Sequence, residues 1–354
     1  MKLEAIKAQA HIHHAYLLGL QLMISSRKGP EVMEQWMFRL FRRQHNEKFL
    51  GSFDKLGLSA EPDAVACAKY HVLSNGIGGV PVEYMAETEK KAWVRFRYPR
   101  WMYHGATICG IPVGVSRGFL RGWYAQNGVS LQNSHLGFVC VSEDMTGEFG
   151  LCGYFKEYDH KLSEDERLQF ARTEIPPPFR AEDQPLPPAQ IWGPERLAKA
   201  NRNYALDYIR NGIPELAAVI GMDETILLAG LAARLIGLQY YAETREMIAG
   251  VDGDISAAYD YLGCMMEGMG DEVKLISSVR SDTDLAQPEQ LEFEQTGLRI
   301  VRDMSAADRN LLMRCWSELW SGAMKSQRQL MDLSPLGFDD TKIVWRLRSI
   351  NPVS

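Results

Sequence analysis

The sequence lacks most of the motifs that indicate a particular reaction or a particular cellular location. It contains no HExxH pair and no CxxC pair, and its six cysteines are widely spread, so neither a zinc-protease site nor a disulfide scaffold is predicted. The first residues lack the uninterrupted apolar core of a signal peptide, and we find no apolar run of about 18 residues. We therefore expect a cytoplasmic protein with reduced thiols and no membrane partner.

Positive charge is also in short supply. The chain has 39 Lys and Arg against 45 Asp and Glu, a formal net charge of -6. A nucleic-acid groove would favour a basic patch, so the expected partner is a small molecule and not a nucleic acid. Histidine is missing from the whole chain after His160, although eight precede or include that residue. Because imidazole is the usual proton carrier near neutral pH, chemistry is predicted in the front half.

Apolar periodicity predicts the elements. Residues 32–53 follow helical spacing, and residues 93–98 alternate as a half-buried strand does. A second alternating pair, 137–143 and 149–158, is joined by a turn and predicts a hairpin. After a Pro-rich connector at 161–195, the pattern predicts long helices, a helix capped by Asp254, a strand near 298–301, a helix starting at Ser305 and a strand at 343–347.

The predicted fold is α+β, with two halves that each pack helices on a small, mostly antiparallel sheet. The predicted domains are an α+β domain at 1–160 with the active site, a Pro-rich connector at 161–195 and a helix-rich α+β domain at 196–354. Two short sequence segments recur: Leu17–Gln21 resembles Leu235–Gln239, and Leu136–Phe138 is repeated as Leu336–Phe338. They raise the hypothesis that the second half is a degenerate repeat of the first, with coincidence as the alternative.

The segment 82–159 carries a resemblance. Its strand at 93–98, the run Ile108-Cys109-Gly110-Ile111-Pro112 and the two strands at 137–143 and 153–159 resemble the aminothiazoline-carboxylate hydrolase family. The resemblance implies a cysteine at a helix start and hydrolytic opening of a small cyclic C–N substrate, such as a thiazoline, amide or amidine.

The candidate catalytic residues are Cys109, His104 and His135. Cys109 is predicted at a helix N-terminus, where the dipole would lower the thiol pKa, and His104 would act as its base. His135 and Glu143, at the ends of one predicted strand, are further proton carriers. A buried and inert thiol is the alternative for Cys109.

The candidate substrate-binding residues are Arg97, Tyr154, Lys156 and Glu157. Cys152, Tyr154, Lys156 and Tyr158 share one face of the second hairpin strand, a polar set with aromatic bodies. Covered by helices, this face would hold a carboxylate through Lys156 with Arg97 as a neighbour. A sheet face exposed to water explains the same pattern.

Metal ligation is a further hypothesis. Cys67 and His71 have i, i+4 spacing on a predicted helix, and His11 and His14 have i, i+3 spacing. His14, Cys67 and His71 are thus weak metal candidates, and the expected cofactor is either none or a single divalent metal ion.

Three functions follow from these features. The favoured one is hydrolysis of a C–N bond, and the alternatives are a small-molecule binding or sensory module without catalysis and a metal-dependent oxidoreductase that uses the N-terminal histidines. The methionines within Met265–Gly270 are predicted to be core or a partner-contact surface. The 16 methionines and apolar helices also favour a homo-oligomer.

Overall fold

The structure is a computed structural model that describes residues 2–100, 102, 104–146, 148–187, 192–279 and 289–350, apart from the side chains of Asp54, Thr146 and Val279. Its described residues divide into two compact units. Residues 24–197 form the middle unit, and residues 1–23 with 198–354 form the terminal unit. These bounds differ from the predicted domains, because the first 23 residues belong with the C-terminal half and the Pro-rich segment 161–195 belongs mostly to the middle unit.

The first helix shows why local patterns misplaced these bounds. Helix α1 (Lys2–Lys28) contributes its buried side chains mainly to the terminal unit, where the Tyr16 hydroxyl donates to the Ala229 carbonyl at 2.9 Å. An apolar helical stripe shows that a helix is buried but not which distant segment covers it. Helix α6 (Pro194–Ile220) also starts in the middle unit and continues into the terminal one.

Helices of the middle unit follow the predicted apolar spacing. They are α2 (Pro30–Phe53), α3 (Asp63–Ile77), α4 (Gly114–Gly122) and α5 (Asn127–Ser130). Helix α2 begins with proline, whose missing N–H costs nothing at a first helical position. Its predicted stripe is confirmed, since the side chains at three- and four-residue spacing are buried: Met33, Trp36, Met37, Leu40 and Phe41.

The sheet of the middle unit confirms the predicted hairpin. Its strands are β1 (Val82–Thr88), β2 (Lys91–Phe96), β3 (Leu136–Ser142), β4 (Cys152–Glu157) and β5 (Leu168–Phe170), in the order β1-β2-β4-β3-β5. All neighbours are antiparallel except β3 and β5. The fold is therefore α+β, as predicted.

The terminal unit has three further helices and four strands among its described residues: α7 (Met222–Met247), α8 (Ile255–Met269), α9 (Ala306–Met324), β6 (Glu272–Val279), β7 (Gln290–Thr296), β8 (Met331–Phe338) and β9 (Lys342–Ser349). Both predicted N-caps are confirmed, because Asp254 accepts from the Ala257 N–H and Ser305 from that of Asp308. The predicted strand at 298–301 is wrong. A 3-10 turn, Arg299–Val301, lies there, because Gly297 and Leu298 have positive φ and bend the chain.

The two units share one order of elements. Apart from α1, α5, α6 and β5, each has a helix pair, a β-hairpin, a third helix and a second hairpin, and the terminal sheet β6-β7-β9-β8 has the same neighbour order as β1-β2-β4-β3. The shared topology supports the hypothesis that one half is a repeat of the other, whereas the recurring sequence segments do not. Leu17–Gln21 lies in α1 and Leu235–Gln239 in α7, which are not equivalent helices, and Leu136 starts β3 while Leu336 lies near the end of β8.

Glycines set the closest helix packing in both units. In the middle unit, a Cβ on Gly118 would lie 2.7 Å from the Glu34 carbonyl oxygen of α2, and one on Gly122 would lie 2.6 Å from that of Phe38. In the terminal unit, a Cβ on Gly237 of α7 would overlap the α9 backbone, and one on Gly322 of α9 would overlap that of α7. Backbones approach this closely only where no side chain intervenes.

Within the described residues, α7 is the one helix long and apolar enough to cross a membrane by length and composition. The core helix of a soluble protein passes the same test, and 44% of the most apolar 18-residue stretch of α7 is buried. Its opposite side leaves Leu227, Leu231 and Leu235 exposed.

Candidate functional site

The predicted nucleophile does not occupy a helix start. Cys109 is exposed and ends a 3-10 helix, Gly105–Cys109, whereas α4 begins only at Gly114. The prediction that a helix dipole acts on this thiol is therefore wrong, because the sequence Gly110–Val113 forms a turn before the helix. His104 is exposed and precedes the 3-10 helix, where its carbonyl accepts from the Thr107 hydroxyl at 2.7 Å.

His135 and Glu157 lie in a hydrogen-bonded corner of the middle sheet. His135 Nδ1 donates to the Tyr158 carbonyl at 3.1 Å. Glu157 accepts from Asn133 Nδ2 at 3.1 Å, and the same amide also donates to Asp63 at the start of α3. These bonds tie the start of β3 to the end of β4, so both side chains have partners that hold the fold together.

The polar face of β4 is covered by the chain itself. The Tyr154 hydroxyl donates to Glu174 at 2.8 Å, and Lys91 also donates to Glu174 at 3.2 Å. Partial burial acts to raise the pKa of Glu174, but these hydrogen bonds outweigh it and hold the pKa below its usual value. A carboxylate of the chain itself, Glu174 of the Pro-rich segment, thus contacts Tyr154 on this face.

The other two residues predicted on this face have different partners. The Lys156 ammonium lies 4.6 Å from the centre of the Tyr158 ring. Arg97 is more than half exposed and pairs with Glu83 at 3.3 Å. The segment predicted as a connector thus packs along the sheet, and Gln184 extends this cover to the edge strand by bonding both the N–H and the carbonyl of Tyr84.

The residues considered for a metal are buried in two different units. In the middle unit Asn127 Nδ2 donates to His71 Nε2 at 2.8 Å, and the His71 ring stacks on Phe155. Burial lowers the pKa of His71 and raises that of the Cys67 thiol, so both are neutral core groups. In the terminal unit burial lowers the pKa of His14 to about 3.

The remaining N-terminal histidines also contact protein groups. His13 Nδ1 donates to the Gln9 carbonyl and its Nε2 accepts from Trp316, which fixes the neutral tautomer. His11 pairs with Glu243 at 3.0 Å. In the described part of the chain, no three His, Cys, Asp or Glu side chains converge in a way that could hold a metal ion.

Two adjacent carboxylates at the end of β3 form a buried ionic network. Asp144 accepts from Arg100 at 2.8 and 2.9 Å and from the Tyr98 hydroxyl at 2.5 Å. The side chains of Arg100 and Asp144 are both almost fully buried. Glu143, predicted as a proton carrier, has a fully buried side chain that pairs with Arg117 and Arg172. Because arginines neutralise both acids, this network anchors the loop before α4 to the end of β3.

A cavity of about 430 Å³ lies in the terminal unit, against α8 and the loop that precedes it. Its walls are mostly apolar or aromatic and include Ile248, Val251, Tyr259, Tyr261 and Val273. This volume falls within the range of small-molecule sites, roughly 300–1,000 Å³. No residue predicted for catalysis or substrate binding lines it.

One face of α8 forms a wall of this cavity. Asp260, Gly263, Cys264 and Glu267 recur at three- and four-residue spacing and all line it. Burial, together with the charges of Asp260 and Glu267, raises the pKa of Tyr259, and burial with Glu267 raises that of Cys264. The thiol is therefore protonated near neutral pH and is a weak nucleophile.

Little in the amino-acid pattern indicates this wall. The methionines of α8, Met265, Met266 and Met269, are buried on its opposite face, as predicted. A polar face opposite a methionine core is typical of any surface helix. Only the small pair Gly263-Cys264 between two acids distinguishes it, and that pattern does not separate a cavity wall from a solvated face.

Comparison of the chain with protein-family models, with curated proteins and with solved structures finds no match. The resemblance of residues 82–159 to the aminothiazoline-carboxylate hydrolases thus stays a prediction.

Proposed function

We propose that this protein is a small-molecule binding module and that its terminal unit receives the ligand in the α8 cavity. The observation that carries the proposal is the cavity itself, whose volume of about 430 Å³ and apolar walls with two acidic groups suit a small organic ligand. Ligand sites commonly combine such walls with a few polar groups that fix orientation.

Binding without conversion is favoured by what lines the cavity. Its lining, among the residues that the structure describes, contains no histidine and a single thiol, Cys264, whose pKa is raised by burial. Cys109, His104 and His135 all lie in the other unit. Hydrolysis of a cyclic C–N bond by those three residues stays a prediction, as do the cytoplasmic location, the homo-oligomer and the lack of nucleic-acid or membrane partners.

Filling the cavity tests the proposal. Gly263 lies mid-helix on the cavity wall, and a Cβ there would meet nothing within 4 Å, so Gly263→Trp adds a bulky side chain from an open position on that wall and should fill the cavity. Gly51 in α2 is an equally open helical glycine in the other unit, which makes Gly51→Trp the matched control.

The measurement is binding of the neutral dye Nile red, with its position reported by maleimide labelling of cysteines and mass spectrometry. We expect the dye to slow labelling of Cys264 but not of the exposed Cys109. Protection should disappear in Gly263→Trp and persist in Gly51→Trp. Equal labelling of Cys264 with and without dye would overturn the proposal.

A further inference from the structure

Two arginine side chains meet beside the C-terminal end of α8. Arg202, on α6, is 4% exposed, and Arg299 starts the 3-10 turn that follows β7. Both guanidinium groups reach Gly270, where an added Cβ would lie 3.1 Å from Arg299 Nε and 3.6 Å from Arg202 Nη1. Two positive charges are therefore close together, and one of them is almost fully buried.

Neither guanidinium group forms an ion pair with another described residue. Arg202 donates to neutral acceptors, with Nη1 2.9 Å from the Gly268 carbonyl and Nη2 3.0 Å from the Asn203 side-chain oxygen. Arg299 Nε is buried and donates to no described residue. Burial and the charge of Arg299 lower the Arg202 pKa to about 10, so Arg202 is still charged near neutral pH. A negatively charged ligand would supply the acceptor that Arg299 Nε lacks.

One buried carboxylate, Asp271, offsets part of this charge. It acts on Arg202 through space. Among the described residues, its oxygens accept from the Gln295 side-chain amide at 2.7 Å and the Arg299 backbone N–H at 2.9 Å, and from no guanidinium group. Arg302, which is exposed, adds a third positive charge that acts on Asp271. The C-terminus of α8 contributes about half a negative charge, so about one and a half negative charges face three positive ones.

We propose that Arg202 and Arg299 form a binding site for a phosphate group, either free phosphate or a small phosphate monoester. Such a group carries about 1.5 to 2 negative charges at pH 7, and its free oxygens can accept from both guanidinium groups at once. A carboxylate has a single charge and would leave part of the positive excess unbalanced. Access is from the side of Arg299 and Arg302, which are partly buried and exposed respectively. Neither Arg202 nor Arg299 lines the α8 cavity, so the two sites are separate.

Calorimetry on the full chain tests the site with inorganic phosphate and glycerol phosphate as probes and acetate as the singly charged comparison. About 0.1 M sodium chloride screens attraction at longer range. Arg299→Gln removes one guanidinium group and keeps the backbone N–H that bonds Asp271. Arg314→Gln is the matched control, because Arg314 is exposed, lies on α9 of the same unit and forms no ion pair with another described residue.

We expect phosphate to bind the wild type more tightly than acetate does. Arg299→Gln should weaken phosphate binding about tenfold, the effect of losing one hydrogen bond to a charged group, and Arg314→Gln should bind as the wild type does. Arg299→Lys keeps the charge but not the planar set of donors, so its affinity should fall between those of the wild type and Arg299→Gln. Tighter binding of glycerol phosphate than of inorganic phosphate would identify a monoester as the ligand, and the reverse order would identify free phosphate.

The Arg299 side chain donates no hydrogen bond to a described residue, so Arg299→Gln should unfold at the same urea concentration as the wild type. A loss of phosphate binding in that variant then belongs to the site. Equal phosphate affinity in the wild type and Arg299→Gln would overturn the proposal, as would acetate binding as tightly as phosphate. An equal loss in Arg314→Gln would show general attraction to positive charge and would also overturn it.

Discussion

Replacing Gly237 by alanine should loosen the packing of α7 against α9. A Cβ on Gly237 would lie 2.7 Å from the Ala323 nitrogen and would overlap the Leu319 carbonyl oxygen, and both are backbone atoms that cannot rotate away. The helices would have to separate by about 1 Å, and a gap of that size forfeits a quarter to a half of each dispersion contact.

The expected loss combines two opposing terms. Overpacking against backbone costs about 3 kcal/mol, the upper end for added methylenes in a core. Alanine in a helix interior recovers about 1 kcal/mol relative to glycine. The net destabilisation is therefore about 2 kcal/mol. Gly263→Ala is the matched control, because it has the same helical gain and nothing within 4 Å of the added Cβ, so it should stabilise by about 1 kcal/mol.

Urea unfolding followed by tryptophan fluorescence measures this difference, since the buried Trp316 and Trp320 of α9 report on the terminal unit. Hydrogen exchange of the α7 amides locates the effect if the two units unfold separately. A Gly237→Ala protein as stable as Gly263→Ala would refute the role assigned to the glycine contact.

Two further predictions concern buried charge. Burial lowers the pKa of His13 and of His45 from 6.5 to about 4, so the unfolded chain binds these protons before the folded one does. Stability should be complete above pH 6.5 and fall toward pH 4 by up to about 3 kcal/mol per histidine; urea midpoints that stay constant over this range would contradict neutral burial. Arg100→Met should cost about 3–5 kcal/mol because it removes the cation that neutralises the buried Asp144 carboxylate, and adding Asp144→Asn should recover part of it. Thermal unfolding of both variants tests this, and an equal loss in the two would count against an ionic role.

Much of the local structure followed from spacing alone. The stripe of α2, the hairpin of β3 and β4 and the caps at Asp254 and Ser305 were all predictable, because each depends on residues within a few positions of one another. The α+β class followed from the helical and the strand spacing of the apolar residues. The strand predicted at 298–301 failed because a positive φ at Leu298, which the residue type does not favour, replaced it with a turn.

The candidate site could not be predicted in the same way. The histidines that cluster along the chain divide between the two units, since His13 packs in the terminal unit and His71 in the middle one. Whether a polar side chain faces solvent, another residue or a cavity depends on which distant segment covers it. For Tyr154 that segment brings Glu174.

The sequence by itself determined the apolar periods, the helix caps and therefore the kind of most elements, because those are set by neighbours three or four residues away. Only the tertiary structure decided that α1 joins the C-terminal half and that one face of α8 borders a cavity instead of open water. Those outcomes depend on contacts between residues far apart in the chain, and a local pattern of apolar and polar residues is the same whichever partner makes them.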